Sequence, residues 1–387
     1  DLEVTHWWTS GGEAAAVSEI AKAFNATEHT WIDGAIAGSG GTARPIIISR
    51  ILGGDPMHAT QLNHGRQAEE LVEAGLMLDL SDIAAEGGWA DVVNPSRLLD
   101  SCTLDGKVYC VPVNIHSPQW LWLSHEAFAK AGLDVPSDWF EFVAAAPALR
   151  EAGVVPLAMG QQSWQTDLAF GAIQVAVGGT DLYLDVLTNK NADAAASAEM
   201  TKVFEAYADA RLLSVGSNVN DWNQATNLVI TGQAGGQIHG DWAQGEFQVA
   251  NQVAGEDYTC LPGLGVNEII ATGGDAFYFP KQDDPAVEAA QKELAQLMIS
   301  KEVQVAFNLK KGSLPIRGDV DLSAANDCMK KGLAILAAGN VLPDGVNAFS
   351  ADTAGQMADL MVEFWNDTSI TVEDAQARYV EIIATAD

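Results

Sequence analysis

The strongest constraint on the fold is a repeated order of elements at the start of the chain. Leu2 and Val4 mark a short strand that Trp7 and Trp8 end. Ser10-Gly11-Gly12-Glu13 then fits a capping box, with Ser10 as N-cap and Glu13 at N3. Val17, Ile20, Ala21 and Phe24 follow at helical spacing. A second strand, Thr30 to Ala37, runs into Gly38-Ser39-Gly40-Gly41-Thr42 and a helix through Ile46, Ile47, Ile51 and Leu52. A third strand, Met57 to Leu62, ends at Gln61-Leu62-Asn63-His64, and a helix from about Gly65 to Ala74 is expected after it. This βαβαβα order predicts an α/β fold with a parallel sheet and helices on its faces.

In such a sheet, ligands bind in the crevice outside the carboxyl ends of the strands. Three polar clusters fall there: Trp7, Trp8 and Glu13; Ser39 and Thr42; Gln61 and Asn63. Two flat indoles beside a carboxylate suit a sugar, whose C–H face packs on an aromatic ring while its hydroxyls need fixed partners. The plainer reading is that Glu13 only caps a helix and the indoles are core. Burying both indoles is less natural, because adjacent strand residues point to opposite faces. The Gly-rich turn offers backbone donors at a helix start but matches neither GxGxxG nor a P-loop, and a tight loop is its simpler role. His64 has no second His or Cys at ligand spacing, so a hydrogen-bonding histidine is expected rather than a metal ligand.

Further along, Val108 to Val113 reads as a strand that Asn114, Ile115 and His116 carry onward. Its prolines suggest a crossing between two lobes. Trp120 to Leu123 is another strand, Asp138 caps a helix from Trp139 to Leu149, and Gly153 to Met159 is a buried strand. Residues from Trp164 to about Val215 read as mainly helical. A helix containing Trp222 precedes a strand from Ala234 to His239, which ends on Gly240-Asp241-Trp242. An indole and an acid thus recur at a strand-to-helix turn. Asp275 lies just before another strand. After helices at Pro285 to Ile299 and Val303 to Phe307, Asn308 to Arg317 reads as an extended basic loop carrying Lys310 and Lys311. A solvated turn is its plain role, although one lysine near acids and a ligand hydroxyl is expected. The remaining segments, Leu322 to Ala338, Thr353 to Trp365 and Val372 to Thr385, read as helices.

At 387 residues the chain is expected to form two lobes. Its 52 acidic against 20 basic residues give a formal charge of −32, which argues against nucleic acid and anionic membrane surfaces as partners. No apolar run is long enough to span a bilayer. The chain begins directly on a strand, as a mature exported protein would after signal cleavage. Four cysteines allow three connectivities. Leu104-Asp105-Gly106-Lys107 is a hairpin signal that would bring Cys102 and Cys110 face to face, which favours Cys102–Cys110 and leaves Cys260–Cys328. Neither pair has CxxC spacing, so no zinc site is expected.

Several segments, taken in order, carry a resemblance: Val4 through Glu13, Val111 through His116, Gly240-Asp241-Trp242-Ala243, Gly274-Asp275-Ala276-Phe277, and Lys310-Lys311-Gly312-Ser313 with Leu314-Pro315. On these the chain resembles the family 1 extracellular solute-binding proteins of ATP-binding-cassette (ABC) sugar transporters, closest to the glucose/galactose-binding branch, over essentially its whole length. The resemblance implies a two-lobed periplasmic-binding-protein fold of type II-like α/β architecture, with the ligand in the interlobe cleft. Lobe boundaries are expected at 1–112 plus about 276–317, and 113–275 plus about 318–387. It implies a periplasmic, monomeric binding protein without enzymatic activity or cofactor, which takes up a neutral monosaccharide and docks on membrane permease subunits without inserting into the membrane. The site residues it carries over are Trp7, Trp8, Glu13, Gln61, Trp222, Trp242, Asp275 and Lys310 or Lys311; it also implies the Cys260–Cys328 pair. Ser39, Asn63 and His116 complete the candidate set.

The chain departs from the family at three places. Where close relatives have Gln-x-His, it has Gln61-Leu62-Asn63 with the histidine one place later. Ser117-Pro118 stands where an arginine is usual, and Asn347-Ala348-Phe349-Ser350 lacks the family's histidine. A rival reading from another class is a glycoside hydrolase using Glu13 and Asp275, which would need the two carboxyls ~5–9.5 Å apart across the scissile bond. No nucleophile elbow or HExxH accompanies them. A binding protein for an oligosaccharide or another polyol is the nearer alternative.

Overall fold

The computed structural model describes residues 1–343, 345 and 349–387, so Asn347 and Ala348 of the histidine-lacking segment lie outside the described residues. The chain divides into two compact units, residues 1–116 with 272–325 and residues 117–271 with 326–387.

The first unit opens with the expected alternation: β1 (Leu2–His6), α1 (Gly11–Asn25), β2 (Trp31–Ala35), α2 (Ser39–Leu52) and β3 (Ala59–Asn63). The Gly-rich stretch is mostly the first turn of α2, with only Gly38 before it at positive φ. The helix expected at 65–74 is a short 3₁₀ turn, Arg66–Ala68, followed by a helix, Glu69–Glu73. β1 pairs in parallel with β2 and β3. The sheet is not parallel throughout, which corrects the sequence expectation. The strand Asp275–Tyr278, from far down the chain, runs antiparallel between β3 and Cys110–Pro112. Local periodicity near the N-terminus carries no information about this late insertion. Its register sets Asp275 opposite Asn63 and Phe277 opposite Gln61. Ile47 and Ile51 of α2 pack with Met57, Leu62, Leu71 and Ala276 beneath the sheet.

A second correction concerns Lys310 and Lys311. They do not lie in an extended loop but end the helix Lys301–Lys311, which Ser300 caps and Gly312 stops in the left-handed region. Phe307 and Lys311 are one helical turn apart and both buried, so the lysine continues an apolar stripe instead of leaving it. This helix packs against α1.

The second unit holds a four-stranded sheet in the order Tyr258–Pro262, Trp120–Ser124, Ala234–His239, Val155–Ala158. The helices Ser163–Ile173, Ala198–Leu213, Ala351–Asn366 and Val372–Ala384 enclose an aromatic core of Phe170, Phe204, Tyr207, Phe364 and Tyr379. Edge-to-face pairs such as Phe170 with Tyr207, 5.1 Å between ring centres, fit the quadrupoles of the rings.

Both expected disulfides are formed. Cys102–Cys110 closes the hairpin in which Thr103 pairs Val108, with Cα atoms 5.0 Å apart. Cys260–Cys328 joins an edge strand to the helix Asp327–Ala337, with Cα atoms 6.1 Å apart. No helix among the described residues is long and apolar enough to cross a membrane.

Candidate functional site

In the first unit the site grows from the ends of β1 and β3. His6 ends β1, and its Nδ1 accepts from Trp8 N (3.2 Å) while its Nε2 lies 2.7 Å from Asp33 Oδ1. That arrangement puts the ring proton on Nε2 and fixes the turn. Trp7 N donates to Gln61 Oε1 at 2.9 Å. The capping box then forms as read from the sequence: Glu13 N donates to Ser10 Oγ (3.3 Å), and Ser10 N donates to Glu13 Oε2 (3.5 Å).

The turn treats its two indoles differently. Trp8 is 1% exposed and packs on Phe277 and Phe307, with ring centres 5.6 and 5.2 Å away. Trp7 stays half-buried. Lys311, 2% exposed, sets its Nζ 5.7 Å over the Trp8 ring and 3.5 Å from Glu13 Oε1. Lys310 is exposed. Trp8 therefore floors the Glu13–Lys311 pair.

Asp275 is the centre of the cluster. Its Oδ1 accepts from Gln61 Nε2 (2.9 Å), and its Oδ2 accepts from Asn114 Nδ2 (2.9 Å) and lies 2.8 Å from His116 Nε2. Asn114 Oδ1 in turn takes the Asp275 backbone N–H at 2.8 Å. Burial pushes this carboxyl up, but the charge and hydrogen bond of His116, the Lys311 charge and the Asn114 donor outweigh it and hold the carboxyl well below the usual carboxylate range. His64, 2% exposed, sits close enough to feel both Asp275 and His116; burial drives its imidazole down to about 4. It is therefore neutral at pH 7.

Asn63 donates to Gly274 O at 3.1 Å and takes Gln67 Oε1 on its backbone N–H at 2.9 Å, so it braces the strand that carries Asp275. Ser39 stands half-buried at positive φ, outside this hydrogen-bond set.

In the second unit the recurrence of indole and acid resolves into an aromatic cluster around His239. Trp222 stacks on its imidazole, 5.2 Å between centres at 20°. Trp242 stands edge-on at 5.0 Å and donates Nε1–H to His239 Nε2 at 2.7 Å. Trp164 completes the group, 5.4 Å from His239 and 6.4 Å from Trp242. Accepting from Trp242 requires a neutral imidazole protonated at Nδ1. Gly240 allows this packing: a Cβ there would lie 2.1 Å from the Trp242 ring. Asp241 takes the Ser117 backbone N–H at 3.0 Å.

Trp7, Trp8, Glu13, Gln61, Asn63, His116, Asp275 and Lys311 are thus gathered in one unit, and Trp222 with Trp242 in the other. Sequence reasoning passed over Asn114, His239 and Trp164 as site residues. Asn114 lay two residues before His116 on one extended run, a period that signals a shared face. His239 and Trp164 are 75 residues apart and each read as an ordinary strand end or helix start. Among the described residues no group of three His, Cys, Asp or Glu side chains forms a metal-ligand set.

A profile of the family described as bacterial extracellular solute-binding protein matches residues 8–305. A protein of Brucella melitensis named a probable sugar-binding periplasmic protein is 36% identical over 86% of this chain and 79% of its own length. A Rhizobium meliloti protein of the same name is 35% identical over 88% and 82%. Among solved structures, the bacterial solute receptor AcbH, described with a substrate preference for β-D-galactopyranose, matches with a TM-score of 0.79 at 21% identity, covering 99% of this chain and 97% of that one.

Proposed function

The chain belongs to the bacterial extracellular solute-binding protein family, and from that premise we propose that it captures a neutral monosaccharide of the glucose or galactose type and delivers it to the permease of an ABC importer. The single observation that carries the reading is the Asp275 cluster: a buried carboxylate kept ionised by His116 and held in place by Gln61 and Asn114. A preoriented anionic acceptor of this kind binds sugar hydroxyls by charge-assisted hydrogen bonds without rearranging. The half-buried Trp7 and the indoles around His239 supply the apolar area that a sugar's C–H faces need. Sugar-binding relatives from Brucella and Rhizobium support the ligand class.

The charges favour a neutral ligand. Glu13 is paired with Lys311 and Asp275 with His116, so a ligand cation would find these carboxylates already engaged, and a ligand anion would be repelled by the ionised Asp275. In a hydrolase Asp275 could fill only the ionised role of the pair, because a general acid needs a raised pKa and Asp275 is held well below the ordinary carboxylate range. Micromolar affinity, about −8 kcal/mol, is within reach of a few charge-assisted bonds at ~1.5–3 kcal/mol each after ordering costs.

Titration of tryptophan fluorescence with hexoses, pentoses and disaccharides tests the proposal. One monosaccharide is expected to saturate the signal at micromolar concentration, with the sugar recovered unchanged. Saturation only by an oligosaccharide, or release of product, would overturn it.

A further inference from the structure

Arg44 is a basic side chain in a very acidic protein, yet it makes no hydrogen bond or ion pair among the described residues. Other arginines are engaged: Arg50 with Glu3, Arg317 with Asp319, Arg378 with Glu363, Arg211 with the carbonyl of Phe364. Arg44 instead folds back along α2 and rests its guanidinium over the Trp7 ring, 5.4 Å from the centroid. Its Nε is buried with no hydrogen-bond partner, a costly state for a charged donor. The backbone makes room for it. A Cβ on Gly40 would lie 2.6 Å from Arg44 Nη2, so only glycine at that position lets the guanidinium lie there undisturbed. It lies within electrostatic reach of the Asp275 carboxylate.

We propose that Arg44 is a specificity-determining residue of the sugar site, whose guanidinium, stacked on Trp7, donates to two neighbouring hydroxyls of a neutral ring that also donates to Asp275. The assignment rests on the monosaccharide reading above. Two features select a diol over a carboxylate. The guanidinium fork offers donors side by side, a match for two adjacent oxygens. Asp275 offers only acceptor capacity beside it, and a hydroxyl alone satisfies donor and acceptor together. A ligand carboxylate would be held by Arg44 but repelled by the ionised Asp275. The indole beneath spreads the arginine's charge through a cation–π contact and holds its plane, so the fork is ordered before the sugar arrives.

Calorimetric titration of the wild type, Arg44→Lys, Arg44→Gln and Gly40→Ala with D-glucose, D-galactose, their 2-, 3- and 4-deoxy analogues and D-glucuronate tests this. The wild type is expected to bind one parent hexose and to lose at least about 10-fold for two deoxy analogues at adjacent carbons. Arg44→Gln is expected to bind that hexose at least about 10-fold more weakly and to treat the same two analogues alike, the signature of a lost pairwise interaction. Arg44→Lys keeps the charge but not the fork and is expected to fall between. Gly40→Ala crowds the guanidinium while favouring the helix, so it is expected to follow Arg44→Gln in discrimination without a fall in melting temperature. Unchanged discrimination in Arg44→Gln and Gly40→Ala, with the wild type binding a hexose, would overturn the assignment alone. Preference of the wild type for D-glucuronate would overturn the diol. Failure of the wild type to bind either hexose would remove the monosaccharide reading and this assignment with it.

Discussion

The two candidate surfaces solve recognition in opposite ways. In the first unit the groups are polar and mostly satisfied by one another: Gln61 spends one end on Trp7 and the other on Asp275, and Asn114 grips both the side chain and the backbone of Asp275. In the second unit the cluster is mainly aromatic, three indoles about one neutral imidazole, oriented by the bond from Trp242 to His239. The first arrangement is stiff because the Asp275 carboxylate is fixed by several donors. The second offers area and tolerates small shifts of whatever rests on it. Direction is thus invested in the cluster of the first unit and area in that of the second.

The largest expected effect separates fold from function inside the first unit. Trp8→Ala removes a buried indole from between Phe277 and Phe307 and is expected to cost about 3–5 kcal/mol of stability, read as a lowered denaturant midpoint. Trp242, half-buried, is expected to lose little stability on the same change but at least ~10-fold in hexose affinity. Equal stability losses for the two would erase the contrast.

Next comes charge. Asp275→Asn keeps the shape but offers one acceptor where two stood, and it leaves His116 without its carboxylate. Hexose affinity is expected to fall about 100-fold, roughly 2.7 kcal/mol, by calorimetry. A fall confined to twofold would show that area, not direction, carries the binding.

A pH slope is expected on a comparable scale. The folded His64 binds its proton only near pH 4, below its unfolded value of 6.5, so the unfolded chain takes up protons first as pH drops. Stability is therefore full above pH 6.5 and is lost progressively toward pH 4, by on the order of 3 kcal/mol. Asp275, held low when folded, contributes stability above the ordinary carboxylate range and loses it only in stronger acid. His64→Gln is expected to flatten the slope between pH 6.5 and 4 in thermal melts. An unaltered slope would place the acid sensitivity elsewhere.

Much of this was legible where the signal is local. The capping box at Ser10 and Glu13, the hairpin that pairs Cys102 with Cys110, and the strand Ala234–His239 each depend on neighbours in sequence. The two-lobed α/β architecture followed from strand–helix alternation joined to the resemblance. What stayed hidden depended on distance. Nothing near Gln61 announces that a strand 214 residues later will lay Asp275 against its amide. Lys311 read as a loop residue because a lysine pair before glycine looks solvated. It is the continuing helix, stopped only at Gly312, that turns one lysine inward and its neighbour out. Trp7 and Trp8 were rightly read as pointing differently, but which of them is core is decided by Phe277 and Phe307, contributed from the far end of the unit.

The disulfides have a consequence for how the protein ages in an oxidising compartment. Each joins two residues of the same unit, one closing a separation of 8 residues and the other of 68. Four cysteines are thereby consumed, and none remains to form a bond from one unit to the other. Oxidation therefore hardens each half against unfolding while adding no covalent tether beyond the polypeptide itself. The same arrangement removes the reactive thiols through which exported proteins become scrambled or cross-linked.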